Sequence, residues 1–129
     1  PVRDTTLVAL AGPVSNFISA FILTIIFKLL VKFGFFGLFS PYLAANISQI
    51  FVLTIIVNVS LGLFNLIPIP PLDGFKVLAY FLPSRWIMTI QQNSFIIMIA
   101  FVALLATGFL GKVLWPAVNT ILGLLDGMF

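Results

Sequence analysis

The sequence predicts an all-α membrane protein, a polytopic transmembrane helix bundle with about three spans and short interfacial helices. Of the 129 residues, 62% are hydrophobic and 7% are charged, and the mean hydropathy is +1.29. In soluble domains, about a quarter of the residues are usually charged. In addition, no charged residue lies between Lys32 and Asp73. Both observations indicate that the chain lies in a lipid bilayer.

We expect residues 1–129 to form a single transmembrane domain, because this length suits one helix bundle and no stretch resembles a soluble linker. The chain begins with Pro1 and has no Met before Met88, so we expect it to be a fragment of a larger membrane protein. Its net charge of +3 comes from scattered cations, which argues against nucleic acid as a partner. The chain has no cysteine, which excludes disulfides and thiolate chemistry.

The first span is predicted from Thr5 to Phe27. This uncharged stretch exceeds the roughly 20 residues that cross about 30 Å of hydrocarbon, and Lys28 follows it. Lys28 and Lys32 lie on one helix face and mark a membrane surface. The Gly12-Pro13 pair predicts either a bend or the first turn of the embedded part.

The second span is predicted from Asn46 to Ile67, where prolines end it. A short helix and an interfacial turn follow Asp73. A third span is predicted from Phe95 to Gly111. The tail from Val113 onwards is interrupted by Pro116 and predicts an interfacial helix, since it is too short for a fourth crossing.

Asp73 is the most informative residue, because an ionisable group in a membrane segment is costly and usually functional. Two interpretations fit the local sequence. Pro71-Leu72-Asp73-Gly74 has good turn chemistry, with Lys76 as an ion-pair partner for the carboxylate. Alternatively, the carboxylate binds a metal such as zinc. A catalytic zinc site usually needs three protein ligands, and the chain has no His, Cys or Glu to supply the others.

Two sequence blocks resemble the site-2 protease family of intramembrane zinc metalloproteases. The segment Asn65-Leu66-Ile67-Pro68-Ile69-Pro70-Pro71-Leu72-Asp73-Gly74 is similar to that family's Asn-x-x-Pro-x-Pro-x-x-Asp-Gly motif. Leu10-Ala11-Gly12-Pro13 with Asn16 resembles its second block. The resemblance implies that Asp73 is a zinc ligand within the membrane. It also implies a substrate-binding loop shaped by Asn65, Pro68, Pro70 and Gly74, with support from Gly12, Pro13 and Asn16.

The family's His-Glu-x-x-His helix is absent from the sequence. The resemblance therefore implies that two zinc ligands and the general base lie in missing N-terminal helices of the same protein. The full-length protein is then expected to hydrolyse peptide bonds in or near transmembrane helices of membrane-protein substrates, and this chain alone is expected to be inactive.

Alternatives stay open at this point. A pseudoprotease that binds transmembrane segments without cutting them, or a membrane scaffold or transporter fragment, also fits the composition. A transporter predicts an internal repeat, and the proline-aspartate block occurs once. Asn65 either contacts the substrate backbone or caps its own helix. Asn16 either orients a ligand from the missing helix or bonds backbone groups freed near Pro13.

Overall fold

A computed structural model describes residues 2–69 and 72–127, and these residues form six α-helices and no strand. This confirms the all-α prediction. A 3-10 turn at Phe35–Leu38 separates the first two helices. The helices are α1 Val2–Lys32, α2 Pro41–Asn65, α3 Asp73–Phe81, α4 Ser84–Gln92, α5 Ser94–Ala106 and α6 Phe109–Gly127.

Three helices are long and apolar enough to cross a membrane, as predicted; the first two match the predicted spans and the third does not. They are Asp4–Lys32 within α1, Pro41–Asn65, and Phe109–Gly127. The pair of α4 and α5 meets the same criterion only when both are taken together, and it is bent by 66°.

The predictions for the C-terminal part require correction. The third span expected from Phe95 to Gly111 is interrupted, because Gly108 adopts a positive φ of 76° and separates α5 from α6. With 13 residues, α5 is about 20 Å long, which is short of the hydrocarbon thickness. The tail expected to be interfacial instead begins its helix at Phe109 and continues through Pro116 for 19 residues. It therefore meets the length of a membrane span.

Pro13 does not lie in the first turn of the candidate membrane span, which begins at Asp4. Helix α1 begins at Val2 and continues through Pro13 to Lys32, so this proline lies in the helix interior. Proline there removes one backbone hydrogen bond. The Pro13 side chain is completely buried, so its packing offsets part of the cost of that lost hydrogen bond.

Local sequence explains the turn between α1 and α2. Gly34 takes a left-handed conformation with φ 74°, which suits glycine at the end of a helix. Ser40 caps α2, since its Oγ accepts a hydrogen bond from the Leu43 amide at 3.3 Å. Pro41 occupies the first turn, where its missing amide donor is not needed.

Helices α1 and α2 pack antiparallel. The Phe17 ring lies against Gly62, and the Phe27 and Phe51 ring centroids are 5.5 Å apart. Residue numbers therefore rise along α1 as they fall along α2. Gly62 is buried and permits this approach, because its missing side chain leaves room for the aromatic ring.

Helix α6 runs in the same direction as α1. Lys28 forms an ion pair with Asp126, with 3.0 Å between Nζ and Oδ1, and Lys28 also donates a hydrogen bond to the Asp126 carbonyl. Eight residues earlier on each helix, Ala20 and Val118 belong to one buried cluster with Ile55 and Val59. These contacts place α1, α2 and α6 around a shared apolar core.

Most apolar side chains lie outside that core. Leu38, Val8 and Phe95 are 80%, 73% and 67% exposed, respectively. An exposed apolar surface of this extent is unfavourable in water and suits lipid tails. The exposure of the apolar side chains and the composition both indicate a bilayer environment.

The Gly62 contact generates a stability prediction. A Cβ atom at residue 62 would lie 2.8 to 3.1 Å from three Phe17 ring atoms, so Gly62→Ala should separate α1 from α2. We expect a loss of about 1 to 3 kcal/mol in the free energy of unfolding, measured by denaturant titration in detergent.

Gly123→Ala is the matched control, since a Cβ atom there meets nothing within 4 Å on α6. It should leave stability unchanged or raise it slightly because alanine favours the helix. Equal destabilisation by both substitutions would contradict the proposed role of the Phe17 contact.

Candidate functional site

Asp73 is the first residue of α3, and it follows directly on the segment that ends α2. After Asn65, the Leu66 and Ile67 amides still donate to the carbonyls of Leu63 and Phe64. The chain then leaves the helix at Pro68, which has no amide donor to continue the pattern. Pro70 and Pro71 lie outside the described residues.

The start of α3 abuts the end of α2 through Gly74. A Cβ atom at this residue would overlap the carbonyl oxygens of Leu66 and Ile67. Gly74 is buried, and only glycine can place its backbone this close to another helix end. Asn65 precedes Leu66 and Asp73 precedes Gly74, so this contact brings Asn65 and Asp73 to the same region.

Two contacts place α3 on α1. A Cβ atom at Gly12 would lie 3.1 Å from the Asp73 Oδ2, and the Thr6 hydroxyl donates to the Lys76 carbonyl at 3.2 Å. Numbers fall along α1 as they rise along α3, so α3 is antiparallel to α1 and continues the direction of α2. Helices α2 and α3 are thus two segments of a broken helix along α1, with Asp73 at the break.

The position of Asp73 along α1 follows from the helical rise of 1.5 Å per residue. Gly12 lies about 12 Å from Asp4 and about 24 Å from Lys28 along the helix axis. Both values fall within the length of the candidate span Asp4–Lys32. The carboxylate therefore lies beside the apolar part of α1 rather than at either charged end.

The local ion pair considered for Asp73 does not form. Lys76 is exposed, and none of the described lysine and arginine side chains forms an ion pair with Asp73. Asp73 is half-buried and lies in the first turn of α3. The partial positive charge at a helix N-terminus favours a carboxylate there.

Asn65 bonds its own helix in this structure. Its Nδ2 donates to the Leu61 carbonyl at 3.0 Å, while its Oδ1 makes no hydrogen bond with the described residues. Asn16 lies one turn after Gly12 on α1, is half-buried, and likewise makes no hydrogen bond with them. The Asn65 amide thus bonds within α2, and Asn16 bonds no backbone group near Pro13 among the described residues.

The described residues contain no group of three His, Cys, Asp or Glu side chains that would hold a metal. Asp73 is therefore not part of such a group and offers only its own carboxylate to a metal. A cavity of about 610 Å³ opens elsewhere, around Lys28 and Lys32, and contains no residue of the Asp73 region. The site is the α1–α3 contact rather than that cavity.

Sequence reasoning did not single out Thr6. The residue is buried on α1 and contacts a carbonyl 70 positions away in sequence. Its one local signal is spacing, because Thr6, Ala9 and Pro13 follow one another at three and four residues on one helix face. All three are buried.

Comparison with known families decides which group of proteins shares this arrangement. Residues 1–107 match the profile described as Peptidase family M50. The chain belongs to peptidase family M50. The match includes both blocks that meet at Gly12 and Asp73, and it confirms the resemblance seen in the sequence.

A relative within this group is the "Putative zinc metalloprotease YwhC" of Bacillus subtilis (strain 168), which is 36% identical over 113 residues. The aligned part is 88% of this M50 chain and 51% of the relative, so the chain spans about half the relative's length. No solved structure matches. Family membership and the three apolar helices together identify a membrane protein of a metalloprotease family.

The glycine contacts predict a graded response to added methyl groups. Gly74→Ala should displace α3, because the new Cβ would overlap backbone oxygens that cannot rotate away. Gly12→Ala should have a smaller effect, since the Asp73 side chain can shift by a few tenths of an ångström. We expect backbone amides of α3 to exchange hydrogen faster in the order Gly74→Ala, then Gly12→Ala, then wild type.

Gly111→Ala is the control, because a Cβ atom there meets nothing within 4 Å. Its α3 amides should exchange as in the wild type. Wild-type exchange in the Gly74→Ala variant would disprove the close approach of α3 to α2.

Proposed function

We propose that this chain is part of an intramembrane zinc metalloprotease of the site-2 type, and that Asp73 is one of its zinc ligands. The full-length protein would cleave peptide bonds in or near transmembrane helices of membrane-protein substrates. The observation that carries the proposal is the contact of Asp73 with Gly12, which joins the two blocks that the sequence placed 61 positions apart.

The environment of Asp73 fits a metal ligand. Its carboxylate lies along the apolar length of α1 without a cation among the described side chains. Carboxylate oxygens bind zinc at about 2.0 to 2.2 Å. Two imidazoles and a glutamate base would come from N-terminal helices of the same protein, docked on the Gly12 and Asp73 side.

Zinc bound there would lower the pKa of a coordinated water and polarise the peptide carbonyl for hydrolysis. The chain's own task is to hold the Asp73 carboxylate at a fixed place. The Gly74 backbone anchors α3 against α2, and Gly12 leaves room for the carboxylate beside α1. We assign the supporting role of Pro13 to the same face of α1, where it is fully buried.

The broken helix supplies a place for substrate backbone. A transmembrane substrate must unwind locally, because its peptide groups are otherwise bonded within its helix. The Asn65 Oδ1 has no partner among the described residues and can accept a hydrogen bond from an unwound segment. Pro68 and Pro70 have no amide donor and keep the neighbouring loop from forming a helix. Asn16 is placed to orient a ligand from the N-terminal helices.

The proposal includes a multi-pass topology and a single transmembrane domain for residues 1–129. It also implies that this chain alone is inactive, since Asp73 cannot form a catalytic zinc site by itself. The pseudoprotease, scaffold and transporter alternatives lack a specific observation here. If the full-length protein were a pseudoprotease that has lost zinc ligands, it would bind no zinc, whereas an active protease would bind it.

Replacing Asp73, with Asp126 as the control, provides a direct test. In the full-length protein, Asp73→Asn should lower zinc content to a small fraction of wild type and reduce cleavage of a transmembrane substrate at least a hundredfold. Zinc is measured by elemental analysis after purification, and cleavage by gel in proteoliposomes.

Asp126→Asn is the matched control, because Asp126 pairs with Lys28 at the other end of α1. It should keep zinc and activity. Zinc retained in Asp73→Asn would remove Asp73 from the ligand set, and a wild-type protein without zinc would favour the pseudoprotease.

A further inference from the structure

Thr6 is a buried polar residue that the proposed mechanism does not use. It is 8% exposed and lies on the face of α1 that packs against α3. Its hydroxyl donates to the Lys76 carbonyl at 3.2 Å, which joins two helices across 70 positions of sequence. A threonine hydroxyl inside a helix can bond a carbonyl of its own helix one turn earlier, whereas the Lys76 carbonyl belongs to a different helix.

The geometry points to Thr6 as a positioning residue for the Asp73 carboxylate, an inference that rests on the proposed function. Lys76 lies in the first turn of α3, three residues after Asp73. The Gly12 contact fixes the start of α3 on α1, and the Thr6 bond fixes its orientation one turn later. Two fixed points along a helix set its tilt, and a first-turn side chain follows that tilt directly.

The glycine contacts cannot set this orientation alone. Gly12 and Gly74 permit close approach because they lack side chains, but they provide no directional bond. Ala9 on α1 and Phe75 on α3 are buried, but apolar burial is non-directional. The Thr6 hydroxyl, in contrast, donates a directional hydrogen bond from α1 to the α3 backbone.

Thr24 provides an internal control for the experiment. It is also a buried threonine on α1, at 6% exposure, and its hydroxyl donates to the Ala20 carbonyl at 2.7 Å. The two residues share type, helix and burial, and they differ in whether the acceptor belongs to α3. Replacement by valine removes each hydroxyl and keeps the branched shape.

The test compares Thr6→Val, Thr6→Ser and Thr24→Val in the full-length protein. Zinc affinity is measured by competition with a chromophoric chelator, and hydrogen exchange is measured for the α3 amides. We expect Thr6→Val to weaken zinc binding about 3- to 10-fold and to speed α3 exchange, because the residues that orient a metal ligand affect metal affinity. Thr6→Ser should restore both readouts, and Thr24→Val should match wild type in both.

Three results would overturn the inference. They are equal α3 exchange in Thr6→Val and Thr24→Val, an equal change in zinc affinity in these two variants, and failure of Thr6→Ser to restore either readout. The exchange readout needs no metal. If the wild type binds no zinc, the proposed function fails, while the α3 exchange still decides whether Thr6 holds α3.

Discussion

The structure depends on close contacts at glycines, where the missing side chain lets a neighbouring helix approach. In a bilayer, lipid tails compete with apolar side chains, so association between helices relies on packing and hydrogen bonds. Gly62 receives the Phe17 ring, and Gly74 lets α3 begin against the carbonyls that end α2. The first contact holds α2 against α1, and the second holds α3 against the end of α2.

The consequence for the site is a carboxylate held by its backbone rather than by an ion pair. Asp73 has no described cationic partner, and its place is set by the helix in which it lies. A carboxylate that already formed a salt bridge would have to lose that partner before binding a metal. Here the charge is left available, which is costly in an apolar region and agrees with a functional role.

The sequence predicted the helical class, the first two spans and the family resemblance of the two blocks, because these depend on composition and on a specific motif. It did not predict the boundary between α5 and α6. A glycine with positive φ at residue 108 breaks an otherwise apolar stretch, and hydropathy does not distinguish that break from a tolerated glycine. The role of Thr6 was not predicted because its acceptor is a backbone carbonyl 70 positions away, and local sequence carries no signal for such a contact.

The ion pair between Lys28 and Asp126 has a consequence for the order of assembly. The two residues are separated by 98 positions, so the lysine is synthesised long before its carboxylate. At about 5 to 20 residues per second, Lys28 waits about 5 to 20 seconds for its partner. During that interval its ammonium group must remain at the headgroups, which would hold the end of α1 at one surface until α6 inserts beside it.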